Sequence, residues 1–188
     1  MNAPLAQPLT MAQFLAWEER QELRYEFDGT SVTAMTGGTY AHSSIQAGLM
    51  RVLGVHLLGT RCHPHAGAMK VKMADTVRYP DVLVNCAPRG PNATFVTEPV
   101  VVFEVLSKST HKIDLGAKRA EYQATPSVQR YVVLEQSHRA AHVFARNADE
   151  WDSELHLGEN AILDMPEIGI AITLGEIYRG ITLASDPQ

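Results

Sequence analysis

The chain has 188 residues, 45% of them hydrophobic and 20% charged, a balance that supports a packed core and excludes a disordered or low-complexity protein. Its net charge of −5 argues against a protein that coats nucleic acid by bulk attraction, and no run approaches the roughly 18 apolar residues of a membrane span. The N-terminus lacks a basic patch followed by an apolar stretch, so no secretory leader is expected. Cys62 and Cys86 form no CxxC pair and read as small apolar fillers in a reducing cytoplasm. One domain over 1–188 is expected, with untethered ends at 1–8 and 182–188.

Thr10 and Gln13 form a capping box ahead of a helix over 11–19. Leu23, Tyr25 and Phe27 then alternate with polar residues, and Asp28-Gly29 turns the chain into a second strand over 31–35. The longest helix covers 40–58, where Ile45, Leu49, Val52, Leu53 and Leu57 recur at helical spacing. Three strands follow. Residues 68–73 alternate, with Lys70 and Lys72 on one face, either facing solvent or guiding a phosphate backbone. Residues 79–86 and 99–106 are almost continuously apolar, as strands covered on both faces are. A helix over 112–124, with Ser109 or Thr110 as N-cap, stops at Pro126. Strands over 128–135 and 140–146 come next, and 161–181 reads as a last strand with a short helical tail. The expected fold is α/β (α+β), one domain of core order αβββαβ with a mixed central sheet flanked by helices, plus an N-terminal helix and hairpin.

Glu104 is the most informative residue. It lies within Val100-Val101-Val102-Phe103-Glu104-Val105-Leu106, where an ionised carboxylate is costly to bury without a cation or donors nearby. A solvated strand end or a basic partner is the competing explanation. Asp81, after Pro80, begins the preceding apolar strand. Antiparallel pairing about a turn centred between Asn92 and Ala93 puts Asp81 opposite Glu104, on the same face. Two convergent carboxylates, with the Val105 carbonyl, suit a hard ion such as Mg²⁺ or Mn²⁺. Nine Lys and Arg against five Asp and Glu lie between Arg61 and Arg119, so the region of the pair is locally basic.

These pieces resemble the PD-(D/E)XK nuclease superfamily and, more narrowly, a bacterial family of small restriction-endonuclease-like proteins. The motifs are Tyr25-Glu26-Phe27-Asp28-Gly29, His42, Pro80-Asp81, Glu104-Val105-Leu106-Ser107, Lys118-x-x-x-Tyr122 and Tyr131-Val132-Val133-Leu134, in that order over 10–181. The superfamily places a lysine two residues after the glutamate, and here Leu106 stands there. The resemblance moves that role to Lys118, with Lys108 and Lys112 as fallbacks. Spacing alone equally allows a surface pair of Lys118 with Asp114. The resemblance also puts His42 and Glu26 in the same cleft, Glu26 as an outer metal ligand. By themselves, an inward His42 reads as a core residue and Glu26 as an exposed one. Ser107 caps or hydrogen-bonds near the metal.

The function implied is metal-dependent endonucleolytic hydrolysis of DNA, with Asp81, Glu104, Lys118, Glu26 and His42 in the site. A two-fold homodimer suits an enzyme that cuts both strands. The rival readings are a nuclease fold that only binds nucleic acid or regulates, and a hydrolase of smaller phosphate esters.

Overall fold

The computed structural model of the protein describes residues 9–35, 37–107 and 111–183. In chain order the elements are α1 (Met11–Glu18), β1 (Tyr25–Phe27), β2 (Val32–Ala34), α2 (Tyr40–His56), β3 (His63–Ala66), β4 (Lys70–Lys72), β5 (Val77–Arg78), β6 (Val82–Asn85), β7 (Phe95–Val96) and β8 (Pro99–Val105). There follow α3 (His111–Ile113), a π-helical segment (Asp114–Lys118) and α4 (Arg119–Ala124), which run on as one helix. The chain closes with β9 (Arg130–Leu134), β10 (Ala140–Asn147), β11 (Glu150–Leu157), β12 (Ile162–Met165), β13 (Ile170–Thr173) and α5 (Leu174–Ile177).

The main sheet has the order β11-β10-β9-β8-β6-β3 and is mixed: β8 and β9 run parallel, and its other neighbours antiparallel. Side chains alternate between two cores. On one face Val82, Val84, Val101, Phe103, Val105, Val132 and Leu134 pack against Ile45, Leu49, Val52 and Leu53 of α2 and against the β12–β13 hairpin and α5. On the other, Leu83, Val102, Tyr131, Val133 and Phe144 meet Tyr122 of α4 and Val71 and Val96 of a second sheet. That second sheet, β2-β1-β5-β4-β7, carries α1 through stacked Phe14 and Phe27, with ring centroids 5.1 Å apart. The capping box at Thr10 and Gln13 starts α1.

The expected core order αβββαβ is found as α2-β3-β6-β8, the helix over 111–124, and β9. Its first strand, however, is β3 and not the expected 68–73. β3 reads His-Pro-His-Ala, too polar and too proline-rich to signal a strand, and it is recruited as an edge by pairing with β6. β4 joins the second sheet instead. Its Lys70 is buried, with Nζ 2.6 Å from Glu18 Oε2, while the Tyr79 hydroxyl donates to the other Glu18 oxygen at 2.6 Å. Lys70 is therefore an internal tie between α1 and the second sheet; neither the solvent-facing nor the phosphate-guiding reading holds for it. Lys72 is half-buried, over the Phe95 ring. Leu23, expected in the first strand, precedes it and is exposed. Residues 150–157, not expected as a strand, pair with β10.

Cys62 and Cys86 are joined in a disulfide and are not separate fillers. The β3–β6 register, His63 opposite Asn85, sets them face to face one residue further on. A reducing compartment thus loses its premise in the cysteines. Among the described residues no helix is long and apolar enough to cross a membrane. Leu183, expected in a loose tail, is buried against the main core, while 1–8 and 184–188 lie outside the described residues.

Gly48 lets α2 touch α5: a Cβ there would sit 2.1 Å from the Ile177 carbonyl oxygen. Gly48→Ala is expected to cost about 1–3 kcal/mol, read as a lowered midpoint in thermal unfolding. Thiol titration of the unreduced, denatured protein should find no free cysteine. Cys86→Ser should lower stability by roughly 3 kcal/mol, the loop entropy of a 24-residue separation.

Candidate active site

The β6–β8 ladder pairs Val82 with Phe103, Leu83 with Val102 and Val84 with Val101, so the expected register holds. It slips only at Asn85, away from the carboxylates. One step before Val82, Asp81 stands opposite Glu104. The two are interlocked through the main chain: the Asp81 N–H donates to Glu104 Oε2 at 3.3 Å, and the Val105 N–H donates to Asp81 Oδ2 at 2.7 Å. A residue's N–H and C=O leave a strand on the same side, so Val105 presents its carbonyl to the β6 side of β8. The Asp81 carbonyl is fixed in turn by Gln46 Nε2 of α2 at 2.7 Å and the Gly67 N–H at 3.0 Å.

Glu104 is almost wholly buried, at 3% exposure. Burial pushes its carboxyl well above the usual carboxylate range; Lys118 pulls it back, while Asp81, Asp114 and Glu26 raise it further. Lys118 Nζ lies 3.0 Å from Glu104 Oε1, 3.3 Å from Glu26 Oε1 and 3.4 Å from Asp114 Oδ1. Burial disfavours its ammonium, yet these carboxylates more than offset that and hold its pKa above the ordinary lysine value. The Asp114–Lys118 pair of the sequence exists, but both residues are buried, not on the surface. They flank the π-helical segment, an irregularity common at functional sites. Lys118 thus comes to the carboxylates, whereas Lys112 is exposed and lines no part of the cavity; Lys108, like Ser109 and Thr110, lies outside the described residues.

His42, in the first turn of α2 behind the N-cap Thr39, turns toward the carboxylates, with Nε2 3.1 Å from Asp81 Oδ2. That hydrogen bond raises its pKa, against the opposing effect of burial. It is therefore neither a core histidine nor a free one. Glu26 is not exposed as its strand pattern suggested. Its Oε1 accepts from the Tyr79 N–H at 3.0 Å and faces Lys118, and its Oε2 accepts from Arg78 at 3.3 Å.

A cavity of about 640 Å³ opens over this floor, lined among others by Gly38, His42, Asp81, Glu104, Val105, Ser107, His111 and Lys118. Glu26 is not part of its wall. Ser107 is, and its carbonyl accepts from the His111 N–H at 3.0 Å to start the following helix. The far wall includes Gln136, whose amide bonds the Leu106 carbonyl and accepts from Thr39 Oγ1 at 2.6 Å. Sequence reasoning missed Gln46, Gln136, Arg78 and Glu121. Two of them left a signal in helical spacing: Gln46 falls four residues after His42, and Glu121 three residues after Lys118.

Among the described residues no group of three or more His, Cys, Asp and Glu side chains converges as a metal cage. Two carboxylates and a main-chain carbonyl are instead the sparse oxygen set that suits Mg²⁺ or Mn²⁺, ions that keep several waters. The charge balance fits as well. Asp81, Glu104, Asp114, Glu26 and Glu121 outnumber the two permanent cations among them, Lys118 and Arg78.

The mixed sheet, the αβββαβ core and the paired carboxylates define a fold of the PD-(D/E)XK nuclease class. Residues 11–175 match the model of the Uma2 family, described as "Putative restriction endonuclease", and the chain belongs to that family. Two proteins of Synechocystis sp. are similar to it, both uncharacterized: slr1290 at 33% identity, covering 92% of this chain and 93% of its own, and sll1609 at 27%, covering 83% and 92%. A crystal structure from Anabaena variabilis, of "a putative nuclease belonging to DUF820", shares the fold with a TM-score of 0.77 over 91% of this chain and 98% of that one, at 16% identity.

The His42–Asp81 contact predicts an NMR titration midpoint for His42 above the ordinary 6.5. Asp81→Asn should bring it to or below that value, since burial alone lowers it. The contact stabilises the fold fully below the unfolded-state pKa, and that contribution is lost as pH rises through the raised folded-state value.

Proposed function

We propose that the protein is a metal-dependent endonuclease that hydrolyses DNA phosphodiester bonds at Asp81, Glu104 and Lys118. The observation that carries this reading is a register-locked pair of carboxylates with a lysine ammonium 3.0 Å from one of them, at the floor of an open cavity. Family membership supports a nucleic-acid substrate.

Asp81, Glu104 and the Val105 carbonyl would hold Mg²⁺ or Mn²⁺, which when bound supplies Lewis acidity toward a phosphate oxygen. The remaining chemistry belongs to the chain. The Lys118 ammonium stands ready to stabilise negative charge growing on the phosphate, and in its dry setting that attraction is stronger than in water. His42 holds the Asp81 carboxylate from the cavity side, while the Val105 N–H holds it from the strand. For cutting both strands, the reading carries with it a two-fold homodimer.

Purified protein should nick plasmid DNA with Mn²⁺ or Mg²⁺ and stop when EDTA is added. Glu104→Gln, Asp81→Asn and Lys118→Met should each lower the rate by about 100-fold or more at unchanged fold. Leu106 in place of the superfamily lysine favours one alternative, a nuclease fold that binds nucleic acid without cutting it. DNA retained in a gel-shift assay with no EDTA-sensitive nicking would establish that alternative and end the enzymatic reading. Turnover of nucleotides or small phosphate esters, but not of DNA, would move the substrate class.

A further inference from the structure

We infer that Glu26, itself fixed by Arg78 and Glu121, is a positioning residue for the Lys118 ammonium and does not bind the metal. The inference rests on the site as proposed above, but it concerns a different feature: a chain of alternating charges running behind the cavity. Glu121 holds Arg78 with two bonds, Nε to Oε2 at 2.7 Å and an η nitrogen to Oε1 at 2.6 Å. The other Arg78 η nitrogen reaches Glu26 Oε2 at 3.3 Å, and Glu26 Oε1 lies 3.3 Å from Lys118 Nζ. Lys118 closes the chain on Glu104 at 3.0 Å.

Each link has a geometric reason. A planar guanidinium gripped side-on by one carboxylate has its remaining nitrogen aimed in a set direction, which a lysine in its place would not reproduce. Glu26 is held on both oxygens, by Arg78 on one and by the Tyr79 N–H and Lys118 on the other. Little of its lone-pair capacity is left for a metal, and it is absent from the cavity wall. Three carboxylates surround the Lys118 ammonium: Glu104 accepts a hydrogen bond at 3.0 Å, while Glu26 and Asp114 stand at ion-pair distance, 3.3 and 3.4 Å away. Removing the Glu26 contact leaves a two-point hold about which the long lysine stem can swing. The Glu26 and Arg78 links come from β1 and β5, so this chain ties the small second sheet to the site.

The test uses Arg78→Met, Arg78→Lys, Glu26→Gln and Glu121→Gln in the full chain, each checked for an intact fold by circular dichroism. Two readouts are taken. The first, independent of catalysis, is acetylation of Lys118 by acetic anhydride, followed by peptide mass spectrometry. It should rise at least tenfold in Arg78→Met and Glu26→Gln and less in Glu121→Gln. The second is cleavage with Mn²⁺. The kcat should fall at least tenfold with KM for DNA and calorimetric Mn²⁺ affinity unchanged, and Arg78→Lys should recover only part of it. Unchanged Lys118 reactivity in both Arg78→Met and Glu26→Gln would overturn the inference. So would a loss of Mn²⁺ affinity in Glu26→Gln matching that of Glu104→Gln, which would make Glu26 a ligand. If the wild-type protein cuts no DNA, the endonuclease reading fails alone, and Lys118 acetylation still decides the positioning role. Should Arg78→Met not fold, Glu26→Gln and Glu121→Gln carry the test.

Discussion

Asp81 and Glu104 each take a hydrogen bond from the main chain of the other's strand, so their carboxylates are placed by backbone and not by side-chain preference. An antiparallel ladder has a side-chain period of two, and a slip of one residue would turn one of the two acids to the opposite face. The register is protected against such a slip because every β6 residue from Val82 to Asn85 is buried. A one-residue slip would swap the two faces of β6 and turn Asp81 toward the apolar core under α2. The one irregularity in the ladder falls at Asn85, where it leaves the carboxylate end undisturbed. Site geometry and core packing are therefore one constraint.

Around that pair the protein tolerates an arrangement that costs stability. Glu104, Asp114 and Lys118 are all nearly inaccessible to water, and buried ion pairs seldom repay the desolvation of their partners. Glu104 feels this as a carboxyl pushed strongly upward by burial and by its acidic neighbours. An excess of negative charge in a dry place is what a divalent cation would relieve, and the cavity gives it a way in. The π-helical segment from Asp114 to Lys118 serves the same site: both its end residues are buried charged side chains, next to the apolar face that carries Tyr122.

The second sheet is small and its strands are short, yet it contributes more than a cover for one face. Buried Lys70, Glu18 and Tyr79 tie α1 to it. Arg78 and Glu26, on neighbouring strands, extend it to the back of the site. Tyr79 serves both ends, its hydroxyl bonding Glu18 and its N–H bonding Glu26. A chain segment that looked like an appended helix and hairpin is thereby joined to the chemistry of the main sheet.

Local pattern carried a good part of this. Helical spacing from Ile45 to Leu57, the capping box at Thr10 and the apolar runs around Leu83 and Val102 were legible because each depends on near neighbours in sequence. The opposition of Asp81 and Glu104 was legible for a related reason: they flank one loop, and the turn residues within it mark its middle. What depends on contacts between distant segments was not. β3 is a strand only because β6 offers it an edge, and Cys62 meets Cys86 only through that pairing. Lys70 looked like a surface lysine until Glu18, 52 residues away, supplied a buried partner. Arg78 and Glu26 acquired their places for the same reason. A buried charge is stable only beside its counter-charge, and only the tertiary structure determines which counter-charge that is.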